Sequence, residues 1–243
     1  MSFRDHLLRR RGLIVAAGLA ASAVLLGACA YRGAIDDPIQ RRFQWFSYLD
    51  GSDIRAGCAQ GAIDRYRLVY NARYPEQVRS YEIVGDGAGG AYLTARSRGA
   101  YANLARISSE DPLAPWRWYK SEMRLSPAEL AAFKAALATD GFLEPSKSVG
   151  RRFSSEQFYW LASGCVDGAF HFGAWADPWT DLARLHFPRF LFERDRTGLA
   201  INRPHPLAGG ERIGPPGIPG EAGADAPFMI TIERSGIGGG QLF

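Results

Sequence analysis

The chain has 243 residues, of which 47% are hydrophobic, and a formal net charge of +4. Four arginines and one aspartate lie in the first 28 residues, so residues 29–243 carry 25 basic and 24 acidic side chains. This near-neutral balance removes the electrostatic support for nucleic-acid binding, and we expect no nucleic-acid partner. The 215 residues after position 28 suffice for one domain with a substantial core.

The chain begins with an arginine-rich stretch followed by an apolar run from Leu13 to Leu26. That run is too short for a membrane span and is typical of a cleavable signal peptide. It ends in Leu26-Gly27-Ala28-Cys29, which resembles the lipobox of bacterial lipoproteins. The resemblance implies that residues 1–28 are removed, that Cys29 receives a covalent lipid, and that residues 29–37 form a tether. By analogy with lipoprotein sorting, Ala30 after the cysteine favours the outer membrane, facing the periplasm.

Two alternatives stay open at the N-terminus. The first is an uncleaved membrane anchor in which Cys29 is incidental. The second concerns the export route, because Arg10-Arg11-Gly12-Leu13-Ile14 resembles a twin-arginine motif but lacks the usual serine or threonine before the pair.

A first helix is predicted after the tether. Asp37-Pro38 is typical of a helix start, with proline at the first helical position. Ile39, Phe43 and Phe46 recur at helical spacing and predict one apolar face, and Gly51 ends the segment.

Four strands are predicted next, at 63–70, 77–84, 91–97 and 116–124. The glycine-rich stretch Gly85–Gly90 between the second and third is also the one segment that resembles a phosphate loop. A phosphate loop requires a following helix, and here a strand follows, so a hairpin turn is favoured.

A capping box predicts a second helix. Ser126 and Glu129 flank Pro127 at the helix start, and Gly141 has the position of a left-handed terminator. A hairpin at 156–163 and 169–175 follows. A further helix is predicted from Asp177-Pro178, with Trp179, Leu182 and Leu185 inward and a break or kink at Pro188.

The element order lacks strict strand–helix alternation. It predicts an α+β fold, with a mostly antiparallel sheet of about five to six strands, two or three helices and one disulfide, in a single domain over 38–201. Residues 202–243 are rich in glycine and proline and predict a flexible tail. Within this tail, 228–232 is strand-like and is a candidate to pair with this sheet or with that of an envelope partner.

Cys58 and Cys165 remain in the chain after Cys29, and an even count in an exported protein favours one disulfide. A redox pair or a metal site is the alternative. Neither cysteine has a C-x-x-C spacing or a nearby histidine, so we expect no metal and no cofactor other than the lipid.

Two sets of residues are candidates for chemistry. Asp167 and His171 offer a carboxylate and an imidazole for acid–base catalysis, although residues four positions apart on a strand lie about 13 Å from each other, so a direct contact requires a bend. Trp160 and Trp175, together with His171, offer an aromatic surface for a small ligand or glycan, with burial in the core as the alternative.

The element order and the lipobox together are similar to those of uncharacterised proteobacterial envelope lipoproteins. We therefore expect a lipid-anchored binding or scaffold subunit without catalysis, which contacts the membrane through its lipid and a partner through its C-terminal tail. The alternatives are a hydrolase-like envelope enzyme that uses Asp167 and His171, and a small-ligand module built on the aromatic hairpin.

Overall fold

The structure of the protein is a computed structural model that describes Gly33 and residues 35–74, 76–99, 106–205 and 228–242. The predicted signal peptide, Cys29 and most of the tether lie outside the described residues. So does 206–227, which is the greater part of the predicted flexible tail. No helix among the described residues is long and apolar enough to cross a membrane.

A six-stranded sheet organises the fold. Its strands are β1 (Arg65–Ala72), β2 (Gln77–Gly85), β3 (Ala91–Gly99), β4 (Tyr119–Leu125), β6 (Phe158–Val166) and β7 (Ala169–Ala176). They lie in the order β4-β3-β2-β1-β6-β7, and every neighbouring pair is antiparallel, which confirms the predicted sheet. The hairpin turn between β2 and β3 also forms as predicted, because the Asp86 carboxylate accepts hydrogen bonds from the amides of Ala88 and Gly90.

A second, three-stranded sheet consists of β5 (Arg152–Ser154), β8 (Phe228–Glu233) and β9 (Gly236–Leu242), in the order β5-β8-β9. The strand predicted at 228–232 is thus confirmed. It pairs with β5 and β9 and not with the main sheet. No local sequence pattern predicts β5, which is short, or β9, which is glycine-rich.

The described residues form four α-helices, more than the two or three predicted: α1 (Pro38–Asp50), α2 (Ser52–Gly57), α3 (Pro127–Thr139) and α4 (Phe187–Arg194). The Asp37 side chain caps α1, and Gly51 ends it with a left-handed backbone. The capping box of Ser126 and Glu129 starts α3 as predicted.

The helix predicted from Asp177-Pro178 is wrong. This dipeptide lies in a turn, and only Leu182–Arg184 forms a short 3₁₀ segment. Helix α4 begins ten residues later than predicted, at Phe187, with Pro188 in its first turn. The amide hydrogens of the first helical turn have no partner within the helix, so proline, which lacks one, is tolerated there. Pro188 therefore lies at the start of α4, whereas a break or kink was predicted at this position.

The main sheet separates two hydrophobic cores. Helices α3 and α4 pack on one face, against side chains such as Tyr66, Tyr81 and Trp160. Helix α1 and the small sheet pack on the other face, where Trp45 and Ile230 belong to the same core. This two-sided covering accounts for the almost continuous burial of β1 and β6.

The apolar face predicted for α1 is the wrong one. Ile39 and Phe43 are 58% and 62% exposed, and Phe46 is half-buried against Phe228. The helix instead buries a face that carries polar side chains, because those polar groups have specific hydrogen-bonding partners. It consists of Arg41, Gln44, Trp45, Tyr48 and Leu49.

Buried charges connect α1 and α2 to the sheet. Arg67 on β1 donates to Asp53 at 2.7 Å and to Glu82 at 2.8 Å, and Glu82 also accepts from Arg96 at 2.9 Å. The Arg67 guanidinium lies 3.9 Å from the centre of the Tyr48 ring. Ionic partners on α2, β1, β2 and β3 therefore replace the water that these groups lose on folding.

Acid pH is expected to destabilise the fold through Glu82 and Asp195. Burial raises the pKa of each carboxyl, but Arg67 and Arg96 around Glu82, and hydrogen bonds from Thr197 and Tyr81 to Asp195, outweigh it and lower both pKa values. The stabilisation is present above the ordinary carboxyl pKa of about 4 and is lost as pH falls through the lowered native values, because the unfolded chain then binds more protons.

Urea unfolding between about pH 6 and pH 3 measures this effect. The free energy of unfolding should fall with decreasing pH, and Glu82→Gln should flatten the dependence. An equally steep dependence in Glu82→Gln would show that Glu82 does not contribute.

Candidate ligand-binding cavity

A half-open cavity of about 600 Å³ lies on the α4 side of the main sheet. Beneath it lie Tyr70 of β1 and Trp160 of β6, which pair across the two strands and are each 1% exposed. Their rings stack at 4.7 Å, and Phe192 of α4 lies 5.5 Å and 5.6 Å from them. These two buried rings support the cavity from below, and its accessible surface comes from the walls.

Two chain segments form the walls. One is the region of the 3₁₀ turn and α4, which contributes Leu182, Ala183, Leu185, Pro188, Arg189, Phe192 and Glu193. The other is the segment that follows α4, which contributes Ile201, Arg203 and Pro204.

Hydrogen bonds hold the second wall in place. The Tyr70 hydroxyl donates to the Asn202 backbone carbonyl at 2.8 Å, and the Asn202 side-chain Nδ2 donates to Glu76 Oε2 at 2.6 Å. Arg79 is fully buried and donates to the carbonyls of Leu199 and Ala200. The wall is therefore part of the folded domain, although its sequence was assigned to the tail from Asn202 onward.

The cavity is apolar with a positive rim. Arg189 and Glu193 form an ion pair at 2.8 Å and largely cancel each other. Arg203 is exposed, lies 5.8 Å from the centre of the Phe192 ring, and has no carboxylate partner among the residues that the structure describes. Burial raises the pKa of Tyr70, and its hydroxyl stays protonated as the donor to Asn202.

Of the three aromatic and histidine candidates, Trp160 alone lines this cavity. Trp175 pairs with Trp160 across β6 and β7, but it is buried and its indole Nε1 donates to the Asp140 carbonyl at 3.1 Å. His171 is half-buried with its ring 5.8 Å from that of Phe142. The hairpin therefore carries mainly core side chains.

The structure does not bring Asp167 and His171 together. Asp167 occupies the β6–β7 turn with φ 49°, and its amide donates to Asp64 at 3.0 Å. No hydrogen bond or ion pair joins its carboxylate to His171 in the described part of the chain.

A different histidine–aspartate pair forms: His186 Nδ1 lies 2.8 Å from Asp140 Oδ1. Asp140 also accepts from the His186 and Phe187 amides, so capping of α4 accounts for this pair.

Cys58 and Cys165 form the predicted disulfide, with their Cα atoms 5.4 Å apart.

The neighbouring carboxylates Asp50 and Asp53 form ion pairs with Arg55 and Arg67, respectively. Within the described ranges, no group of three or more histidine, cysteine, aspartate or glutamate side chains is placed to hold a metal ion.

Sequence reasoning missed Tyr70, Phe192 and Arg203 as cavity residues. Tyr70 appears in the sequence as one of several alternating strand aromatics, and Arg203 lies where the proline content rises. No local sequence pattern predicts that these three residues line one cavity, because they come together only when the segment after α4 is hydrogen-bonded to β1 and β2.

Comparison with known proteins gives no relative from which a function can be transferred: the chain matches no protein-family model, no curated protein and no solved structure.

Proposed function

We propose that this chain is the precursor of a bacterial lipoprotein. In this proposal Cys29 carries the lipid that anchors the mature protein in the cell envelope, at the outer membrane facing the periplasm. The lipobox at 26–29 supports the anchor. The Cys58–Cys165 disulfide supports export, because such bonds persist in oxidising compartments.

The mature domain, we propose further, binds a small amphiphilic ligand and performs no catalysis. The cavity at Tyr70 and Trp160 is the observation that carries this proposal. Its volume of about 600 Å³ lies within the range of small-molecule sites, which are mostly apolar with a few placed polar groups. The partly exposed wall side chains Leu185, Phe192 and Ile201 favour an apolar ligand body, and Arg203 at the rim favours an anionic group on it.

A pair of fluorescent probes tests the proposal on the purified mature protein. Anilinonaphthalene sulfonate is apolar and anionic, whereas phenylnaphthylamine has nearly the same ring system without the charge. We expect saturable binding of both probes. Arg203→Gln should weaken the sulfonate probe about tenfold and leave the neutral probe unchanged, because a hydrogen bond to a charged group contributes about 1.5–3 kcal/mol.

Two further variants make the result specific. Ala183→Trp places an indole at the exposed rim of the cavity and should abolish binding of both probes. Arg184→Gln removes a neighbouring exposed arginine that does not line the cavity and should change neither. Equal loss of the anionic probe in both arginine variants, or binding that survives Ala183→Trp, would contradict the assignment of this site.

A scaffold role is the second candidate. Strand β8 lies between β5 and β9, so its edges are used within the chain, whereas β9 is an edge strand of the small sheet. Part of the outer edge of β9 is already used, because the Ile237 amide donates to Asp50 of α1. A partner strand would therefore pair with the remainder of that edge or with β5, the other edge strand of the small sheet. A protein with this role alone would leave both probes unbound.

A further inference from the structure

Helix α1 presents two large apolar side chains to solvent. Ile39 and Phe43 lie one helical turn apart and point outward together, at 58% and 62% exposure. Below them, Phe46 is half-buried. We call Ile39 and Phe43 the outer stripe of α1. Exposed apolar side chains are common singly, but these two are contiguous, and apolar surface that is contiguous is where a contact with another apolar body would form.

Specific contacts on the opposite face of the helix hold the outer stripe outward. Arg41 donates to the carbonyls of Ile35 and Trp116, and its guanidinium lies 5.3 Å from the centre of the Trp118 ring. Tyr48 and Trp45 are buried against the sheet. A rotation of α1 that buried Ile39 and Phe43 would break all of these contacts, so the outer stripe is a fixed feature of the folded domain.

We propose that the outer stripe rests on the bilayer in which the lipid on Cys29 is inserted. This inference depends on the proposed lipid anchor. Helix α1 is the first described helix after Cys29 and begins nine residues beyond it, which an extended chain spans in about 30 Å at most. The outer stripe is thus held within reach of the membrane surface.

The chemistry of the helix surface suits an interfacial position. Helices that lie in the plane of the interface insert apolar side chains and place basic residues at the headgroups. Arg42 is exposed and borders the outer stripe on the helix surface, beside Phe43. Contact at Ile39 and Phe43 would add to the lipid anchor and orient the domain on the membrane.

An environment-sensitive label on a single introduced cysteine tests this contact in the full mature chain. With Cys29 acylated and Cys58 paired with Cys165, Phe43→Cys provides one free thiol for a nitrobenzoxadiazole label. The protein is reconstituted into vesicles of phosphatidylethanolamine and phosphatidylglycerol. We expect blue-shifted emission, quenching by doxyl-labelled lipids and protection from aqueous iodide.

Leu143→Cys is the matched control, because Leu143 is 48% exposed and follows α3 on the opposite face of the sheet. Its label should be quenched by iodide and not by doxyl lipid, and Ile39→Cys should behave as Phe43→Cys does. Mass spectrometry of Cys29 and vesicle flotation measure the anchor separately.

The outcomes separate the two proposals. If Cys29 is acylated and the label at position 43 is as accessible to iodide as that at 143, the anchor stands and the membrane contact is overturned. Protection from both quenchers would indicate that protein covers the outer stripe, a second copy or another segment of the chain, and would also overturn it. An unmodified Cys29 on a chain that does not float with vesicles would overturn the anchor and the contact together.

Discussion

Arg67→Leu is expected to lower the free energy of unfolding by about 3–5 kcal/mol, because removing one partner of a buried ion pair leaves its counter-charges unpaired. The Arg67 side chain is 1% exposed and binds both Asp53 and Glu82. Without it, two carboxylates with little access to water would have to be paired by the remaining arginines or take up protons. Urea unfolding monitored by circular dichroism measures the loss.

Arg65→Leu is the control for this variant. Arg65 lies on the same strand and the same face, and its guanidinium approaches Asp53 at 3.1 Å and Glu82 at 3.4 Å, but its side chain is 34% exposed. Solvent screens such pairs, so the expected loss is below about 1 kcal/mol. Adding Glu82→Gln to Arg67→Leu should recover part of the stability by removing one unpaired charge. Similar losses from Arg67→Leu and Arg65→Leu would show that burial does not strengthen the pairs.

Loss of the disulfide is the second large effect. Replacing Cys58 and Cys165 with serine should lower the free energy of unfolding by about 2–5 kcal/mol. The bridge closes a loop of sequence separation 107 that joins the end of α2 to β6, across the whole of β1 to β4. Opening this loop enlarges the unfolded ensemble, and this lowers the free energy of unfolding.

Unfolding with and without a reductant provides the comparison. The reductant should destabilise the parent protein by the same amount as the double serine variant, and it should leave that variant unchanged. A parent protein whose stability does not respond to the reductant, with free thiols at both positions, would contradict a structural role for the bridge.

Local sequence patterns predicted correctly the elements whose stabilising contacts join residues close together in the sequence. The capping box at Ser126 and Glu129 and the turn at Gly85–Gly90 depend on contacts within four residues or so, and both form as predicted. The α+β class and the antiparallel sheet follow from the order of such elements. The disulfide was predictable from the cysteine count together with the expectation of export, neither of which depends on packing. The lipobox assignment of Cys29 rests on local sequence alone and stays a prediction.

Tertiary contacts decided the rest. Ile39 and Phe43 have the spacing of a core face, yet α1 buries Arg41 and Tyr48 because the Trp116 carbonyl accepts from Arg41 and Arg67 donates to the Tyr48 carbonyl. Their partners lie far along the chain, so no periodicity reports them.

The cavity has the same origin. Tyr70, Trp160, Phe192 and Arg203 come from four separate segments, and Asn202 and Arg79 bring the last of these into place. A sequence shows which side chains are apolar or charged at each position. Which of them share a cavity, and which face of an amphipathic helix turns inward, depends on the free energy of contacts between distant segments, and that is expressed only in the folded chain.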